Sequence, residues 1–183
     1  MSMDSTAPRT HRFVAADILA SSYRIVGKVL VTSTGVMGMM NDTTHSFMEV
    51  HDARLARLHM PTKLVDHFEI VRLVKAHVFV ICTARREDIG PQSLARGGYT
   101  NVVEYLVRVT TQVYELEGML EWPGRFDFTA IMSEGTRDFI PLYKATLTAI
   151  LIPNLKVESP SMLFNRRQVD LLGLTTQRAK PEK

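Results

Sequence analysis

Cysteine and tryptophan are almost absent from this chain, with one of each in 183 residues. The single cysteine, Cys82, sits in the apolar run VFVICT, so no intrachain disulfide can form. A thiol in such surroundings is expected to be a small buried hydrophobe rather than a nucleophile. No stretch approaches the ~18 consecutive apolar residues that span a bilayer as a helix, and the start, MSMDSTAPRTHR, has no apolar h-region. A cytoplasmic protein without membrane insertion is the expectation. Neither sign of charge dominates: the net charge of +3 falls short of the dense Lys/Arg loading that by itself marks a nucleic-acid binder.

Catalytic patterns are missing as well. No serine stands in a nucleophile elbow, and no two carboxylates have the spacing of a general acid and base. Asp42, Asp52, Asp66 and Glu69 therefore read as turn formers and solvated strand residues, and the chain is expected not to be an enzyme. Gly27-Lys28 lacks the rest of a phosphate-cradling loop, and Gly35-Val36-Met37-Gly38 is only a fragment of a glycine-rich pattern. Five of the six histidines (His45, His51, His59, His67, His77) fall in the first of two similar stretches, residues 13–84, but without the His-x-Glu or paired Cys/His spacing of a zinc site. They are expected to be solvated or at strand edges, with no metal or cofactor. A cyclic-dinucleotide receptor of the PilZ barrel type needs a linker arginine motif and a [DN]-x-S-x-x-G turn. Arg85-Arg86 and Ser93 lie nearby, but Pro91 stands two before Ser93 and Gly97 falls one place late.

What the chain does have is a repeat. FMEVHDARLARLHMP, residues 47–61, returns as FIPLYKATLTAILIP, residues 139–153, pairing Phe47 with Phe139, Ala53 with Ala145, Leu55 with Leu147 and Pro61 with Pro153 at an offset of 92 (139 − 47). Upstream, Tyr23/Tyr114 and Gly27/Gly118 match at 91 (114 − 23). A duplicated unit of about 75 residues has a marginal core by itself. The two copies are therefore expected to pack on each other or on other chains.

Each copy reads as strands. Tyr23, Ile25 and Val29 alternate with Arg24 and Lys28, the pattern of a half-buried strand, and Gly27 interrupts it as Gly118 interrupts YELEGML. The runs VMGMMND and FTAIMSEG space their apolar residues for one short helical turn each. Within residues 47–61 the apolar phase slips, because Met48 and Val50 share one parity while Ala53 and Leu55 share the other. Successive strand residues point to opposite faces, so the phase requires a bulge or bend near His51-Asp52, and likewise near Tyr143-Lys144. Pro61 and Pro153 end these elements. HFEIVRLV and HVFVICTA then read as a closing hairpin broken at Lys75-Ala76, and SMLF with RQVDLLGL as its counterpart. The charged, Gly- and Pro-bearing RREDIGPQSLARGG reads as a linker.

The expected fold is thus mainly β: two tandem small antiparallel barrels with short helical turns, residues 13–84 and 102–174, joined by a linker at 85–101, with loose ends at 1–12 and 175–183. Strand, glycine bend, strand, short turn, bent strand and closing hairpin in this order resemble the Sm-like and SH3-like small barrels. More closely, the run from Val107 to Leu147, with its later FIPLYKA, resembles an uncharacterised bacterial domain family bearing F-[IL]-P-L-x-x-A. FIPLYKA fits that run fully, while FMEVHDA keeps its ends and apolar character. The resemblance implies fold and no activity. Sm-like proteins bind RNA through loops that include the closing turn, where this chain has Lys75, His77, Asn165, Arg166 and Arg167. Neither copy has the full RNA-contact motif, and no aromatic is placed for base stacking. The leading expectation is a non-enzymatic binding or assembly module that takes a protein partner or a second copy of itself. Trp122, before Pro123-Gly124 at an expected loop tip, is its candidate interface anchor. The alternatives are RNA or single-stranded DNA binding by the basic turns, and small-ligand (nucleotide) sensing.

Overall fold

A computed structural model describes residues 10–133, 135 and 137–175. Most of the two expected loose ends lies outside these residues; of what is described, Arg12 already opens the first strand. The chain runs β1 (Arg12–Ala20), β2 (Tyr23–Val31), α1 (Gly35–Asn41), β3 (Phe47–Arg57), β4 (Leu64–Val74) and β5 (Val78–Thr83). After a short helix, α2 (Gln92–Ala95), it continues β6 (Val103–Thr111), β7 (Tyr114–Trp122), α3 (Phe128–Ser133), β8 (Phe139–Ala149), β9 (Ile152–Asn165) and β10 (Val169–Leu174). The expected short helical turns are α1 and α3.

All ten strands join one antiparallel sheet in the order β10-β6-β7-β8-β9-β5-β1-β2-β3-β4. Its end strands, β10 and β4, are not paired with each other, so the sheet does not close into a barrel. The chain is mainly β, as the alternation implies. The first five strands are ordered β5-β1-β2-β3-β4 and the last five β10-β6-β7-β8-β9, the same order by position, and β5 and β9 stitch the two sets together.

The expected closing hairpins do not form. β4 pairs only with β3, whereas β5 pairs with β1 and β9. Likewise β9 pairs with β8 and β5, and β10 with β6. Between β4 and β5 stands a 3₁₀ turn, Lys75–His77, and between β9 and β10 another, Arg166–Gln168. A 3₁₀ turn rises about 2 Å per residue, while strands four places apart in a flat sheet lie about 19 Å apart. The end of β4 therefore lies within a turn's length of the start of β5, and the end of β9 of the start of β10, so each set of five is curved rather than flat and the turn crosses between its outer strands instead of folding one onto the other.

The curl comes from the expected bends. Asp52 and Lys144 carry positive φ, 49° and 48°. Register slips there: Val26 faces Arg54 but Lys28 faces His51, and Glu117 faces Thr146 but Met119 faces Tyr143. One extra residue in β3 and in β8 thus sits opposite a glycine, an arrangement that bends and twists the strand. Glycine is required by contact. A Cβ on Gly27 would lie 2.6 Å from Val50 Cγ1 and 2.8 Å from His51 O, and one on Gly118 would lie 2.8 Å from both Ala145 Cβ and Leu142 Cγ.

Two cores result, and each borrows from the other set of strands. The first gathers Val14, Ile18, Ile25, Val29, Val50 and Ile81 with Phe139, Tyr143 and Leu163 from the second half. The second gathers Val107, Tyr114, Leu116, Leu142, Met162 and Phe164 with Leu19, Phe79, Val80 and Cys82 from the first. The first part of the expected linker packs against the first half. Ile89 is buried in the first core, and Asp88 is buried beside Arg12, 2.6 Å away. Gly90 and Gly35, both at positive φ, let the backbones of 34–35 and 89–90 touch.

Candidate functional site

The β5–β9 joint shows what this sheet does when an edge is covered. Val80 faces Phe164, Ile81 faces Leu163, Cys82 faces Met162 and Thr83 faces Ser161. Val80, Cys82, Met162 and Phe164 enter the second core, while Ile81 and Leu163 enter the first, so each joining strand serves both cores. Polar groups along the seam are satisfied across it. Thr83 and Ser161 hydroxyls lie 2.6 Å apart, Ser159 donates to Thr83 O at 2.8 Å and Asn165 Nδ2 donates to Val78 O at 3.0 Å. Tyr114 Oη donates to Ala20 O at 2.6 Å, and burial pushes its phenol up, as burial does the Cys82 thiol. Asn41, at the end of α1, caps the seam: its amide accepts from Phe139 N at 2.9 Å and donates to Phe139 O at 3.0 Å.

The free edges are the positional counterparts of these two strands. Register sets the match, because Phe47 faces Val74 where Phe139 faces Asn165, and Val50 faces Val71 where Leu142 faces Met162. At this offset of 91 (165 − 74), the β4 row Phe68, Ile70, Arg72, Val74 stands where β9 has Ser159, Ser161, Leu163, Asn165. The β9 residues Ser161, Leu163 and Asn165 are buried; on β4, Ile70 is 53% and Val74 50% exposed. Val71 and Leu73, on the other face of β4, pack on the first core. β4 is thus apolar on both faces, as strands buried on both sides are, yet one face is uncovered. β10 is its complement, with Leu171 54% exposed where its counterpart Val80 is fully buried. Sequence reading missed this surface, although HFEIVRLV carried the signal: Phe68, Ile70 and Val74 share one parity, Val71 and Leu73 the other.

A second feature is a cleft of about 630 Å³ between the α2 segment and β7–β8, lined among others by Tyr99, Trp122, Arg125, Arg137 and Ile140. Its wall is held by Glu121, a buried carboxylate bonded by Arg86 and, at 2.9 Å, by Arg96. Burial alone would push the Glu121 carboxyl up, but the two guanidiniums outweigh it and hold it below the usual range. The Arg86 guanidinium also lies 3.9 Å over the Tyr143 ring. Among the described residues Arg125 has no ion-pair partner, and Arg137 makes only a long bond to Ala95 O at 3.5 Å.

The two basic turns singled out from the sequence lie side by side, with Gln168 Nε2 donating to Ala76 O at 2.8 Å, and Arg166 lines the cleft with Trp122, but most of their polar groups are taken up within the fold. Trp122 is not at a loop tip: it ends β7 opposite Val103, packs partly on the second core and lines the cleft. Lys75 is buried, its Nζ donating to Met39 O at 2.6 Å and Asp42 O at 2.8 Å, and desolvation lowers its pKa. Asn165 belongs to the joint. Arg166 donates to Gly135 O, and Arg167 pairs with Asp138 at 2.8 Å. His77 is exposed. His67 bonds Asp52 at 2.7 Å and His45 bonds Asp42 at 3.0 Å; among the described residues no three His, Cys, Asp or Glu side chains converge as metal ligands. Among the described residues no helix is long and apolar enough to cross a membrane. No family model, curated protein or solved structure matches the chain.

Proposed function

We propose that this chain is a non-enzymatic binding and assembly module: two tandem small-barrel units of Sm- or SH3-like type that take a protein partner on the uncovered face of β4. The reading is supported by the shared strand order of the two halves and by their separate cores. One observation carries it. Phe68, Ile70 and Val74 form an exposed apolar row on an edge strand, and exposed apolar patches of this kind mark protein interaction sites. An edge also offers a ladder of backbone donors and acceptors to an added strand. Ile70→Lys places a charge in the row without touching either core. Sedimentation of the purified protein should show association that this variant weakens at least about tenfold; an association indifferent to it refutes the reading.

The cleft favours small-ligand sensing as a second reading. Arg125 and Arg137 beside Tyr99 and Trp122 suit an anion carrying a flat ring, such as a nucleotide. A panel of nucleotides should then raise the melting temperature of the native protein but not that of Arg125→Ala.

A further inference from the structure

We infer that the strand that covers β4 is β10 of a second copy of this chain, added head to tail in the register of the β5–β9 joint. The inference rests on the β4 face being the binding surface and specifies its occupant. β4 stands in its half where β9 stands in the other, and β10 stands where β5 stands, so the two vacant edges are the two sides of a joint the protein already makes once within itself.

Carrying the internal register across gives a defined pairing. Val80 opposite Phe164 becomes Leu171 opposite Leu73; Ile81 opposite Leu163 becomes Leu172 opposite Arg72. Cys82 opposite Met162 becomes Gly173 opposite Val71, and Thr83 opposite Ser161 becomes Leu174 opposite Ile70. Leu171 and Gly173 then join Val71 and Leu73 over the first core of one copy, as Val80 and Cys82 join Met162 and Phe164 over the second. On the other face, Leu174 and Ile70, both exposed in the single chain, cover each other. Arg72 is the one charge in the β4 row. It already holds Glu49, opposite it on β3, at 3.1 Å. Arg72 therefore enters the pairing with its charge already met by one carboxylate.

A joint of unlike surfaces leaves one β4 and one β10 free after every addition. Copies accordingly close into a ring if the rotation per step completes a turn, and otherwise grow as a filament.

The test blocks one edge at a time. Ile70→Lys disables β4 and leaves β10 intact, while Leu174→Lys disables β10 and leaves β4 intact; both sites are exposed, so unchanged melting of each variant confirms its fold. Native mass measurement should show wild-type species growing in whole-chain steps, each variant alone as a monomer, and a mixture of the two forming one-to-one dimers and nothing larger. A monomeric mixture, or a Leu174→Lys variant that still self-associates through β4, overturns the pairing. Association that is lost in Ile70→Lys without any mixed dimer overturns the pairing alone and leaves β4 as the binding face. Association untouched by Ile70→Lys overturns both. Register is read by oxidation: the double variant Ile70→Cys with Leu174→Cys should give chain-to-chain disulfide ladders, and Ile70→Cys with Asp170→Cys should not. Equal cross-linking of the two also overturns the register.

Discussion

Phe139 and Phe47 open matching strands, β8 and β3, yet Phe139 is 2% exposed and Phe47 38%. Nothing in the two phenylalanines accounts for this. Phe139 has the first half against it, with Asn41 gripping its backbone and the first core taking its ring. Phe47 instead has His45 at a ring distance of 6.4 Å and the Arg72 guanidinium over its face at 5.5 Å. The same divide separates β9 from β4 and β5 from β10. Local sequence makes a strand in each case, and what lies beyond the edge decides whether that strand becomes core.

The sharpest way to break this comparison is to give the joint the edge's residue. Leu163 is buried in the first core at the position where β4 has exposed Arg72. Leu163→Arg would bury a charge with no carboxylate there to meet it, a class of change that costs about 3–5 kcal/mol. In denaturant titration the midpoint should fall accordingly or the protein should fail to fold. A cost under about 1 kcal/mol would mean that the joint opens easily and is no guide to the free edges.

Two smaller effects test whether the halves are bent and seamed as described. Gly27→Ala and Gly118→Ala each press a methyl group onto the bulge opposite, and overpacking of this kind costs about 1–3 kcal/mol. Similar losses at both sites would show that both bends bear on stability alike. Asn41→Ala strips Phe139 N and O of their partner at a point where β8 has run past its pairing with β7, and two buried backbone groups left bare cost about 1–3 kcal/mol. Its counterpart position, Ser133, meets no such seam in the single chain, so Ser133→Ala should leave the melting temperature nearly unchanged.

The bends and the helical turns were legible because each leaves a local mark: a parity slip, a glycine opposite it, an apolar pair at helical spacing. Strand partnership was not. VFVICT and HFEIVRLV are adjacent and both strand-like, which invites a hairpin, and only the sheet's curl assigns them to opposite ends of a five-strand order. Glu121 was equally hidden. In the alternating text of β7 it looks like one more solvated carboxylate, and its burial depends on Arg86 and Arg96, 35 and 25 residues away in sequence. The basic turn residues misled for the same reason, since a list of Lys, Asn and Arg does not say which backbone carbonyls or carboxylates will take them up.

Glu121 also gives the linker a pH signature. Its carboxyl is held below the ordinary range in the folded chain, so the unfolded chain binds that proton more readily. The contribution is present above the ordinary carboxylate pKa and is lost as pH falls through the lower folded value. Melting temperature should therefore decline on the acid side of about pH 4, and less steeply in Glu121→Gln. Parallel curves would assign the acid sensitivity to other carboxylates.

The smallest expected effect is the most telling for the comparison. Ile70→Thr changes a residue that β4 turns outward, opposite His51 and away from both cores. Thr is nearly as good a strand former as Ile, and surface changes away from packing stay within about 0.5 kcal/mol. At low concentration, where chains are single, the variant should melt with the wild type. If the outward row is covered only when another strand arrives, the penalty should appear as concentration rises, because lost apolar burial is then felt at the seam. A penalty already present in the single chain would mean that Ile70 is packed within its own half, and the contrast between β4 and β9 would shrink to a difference in residue size.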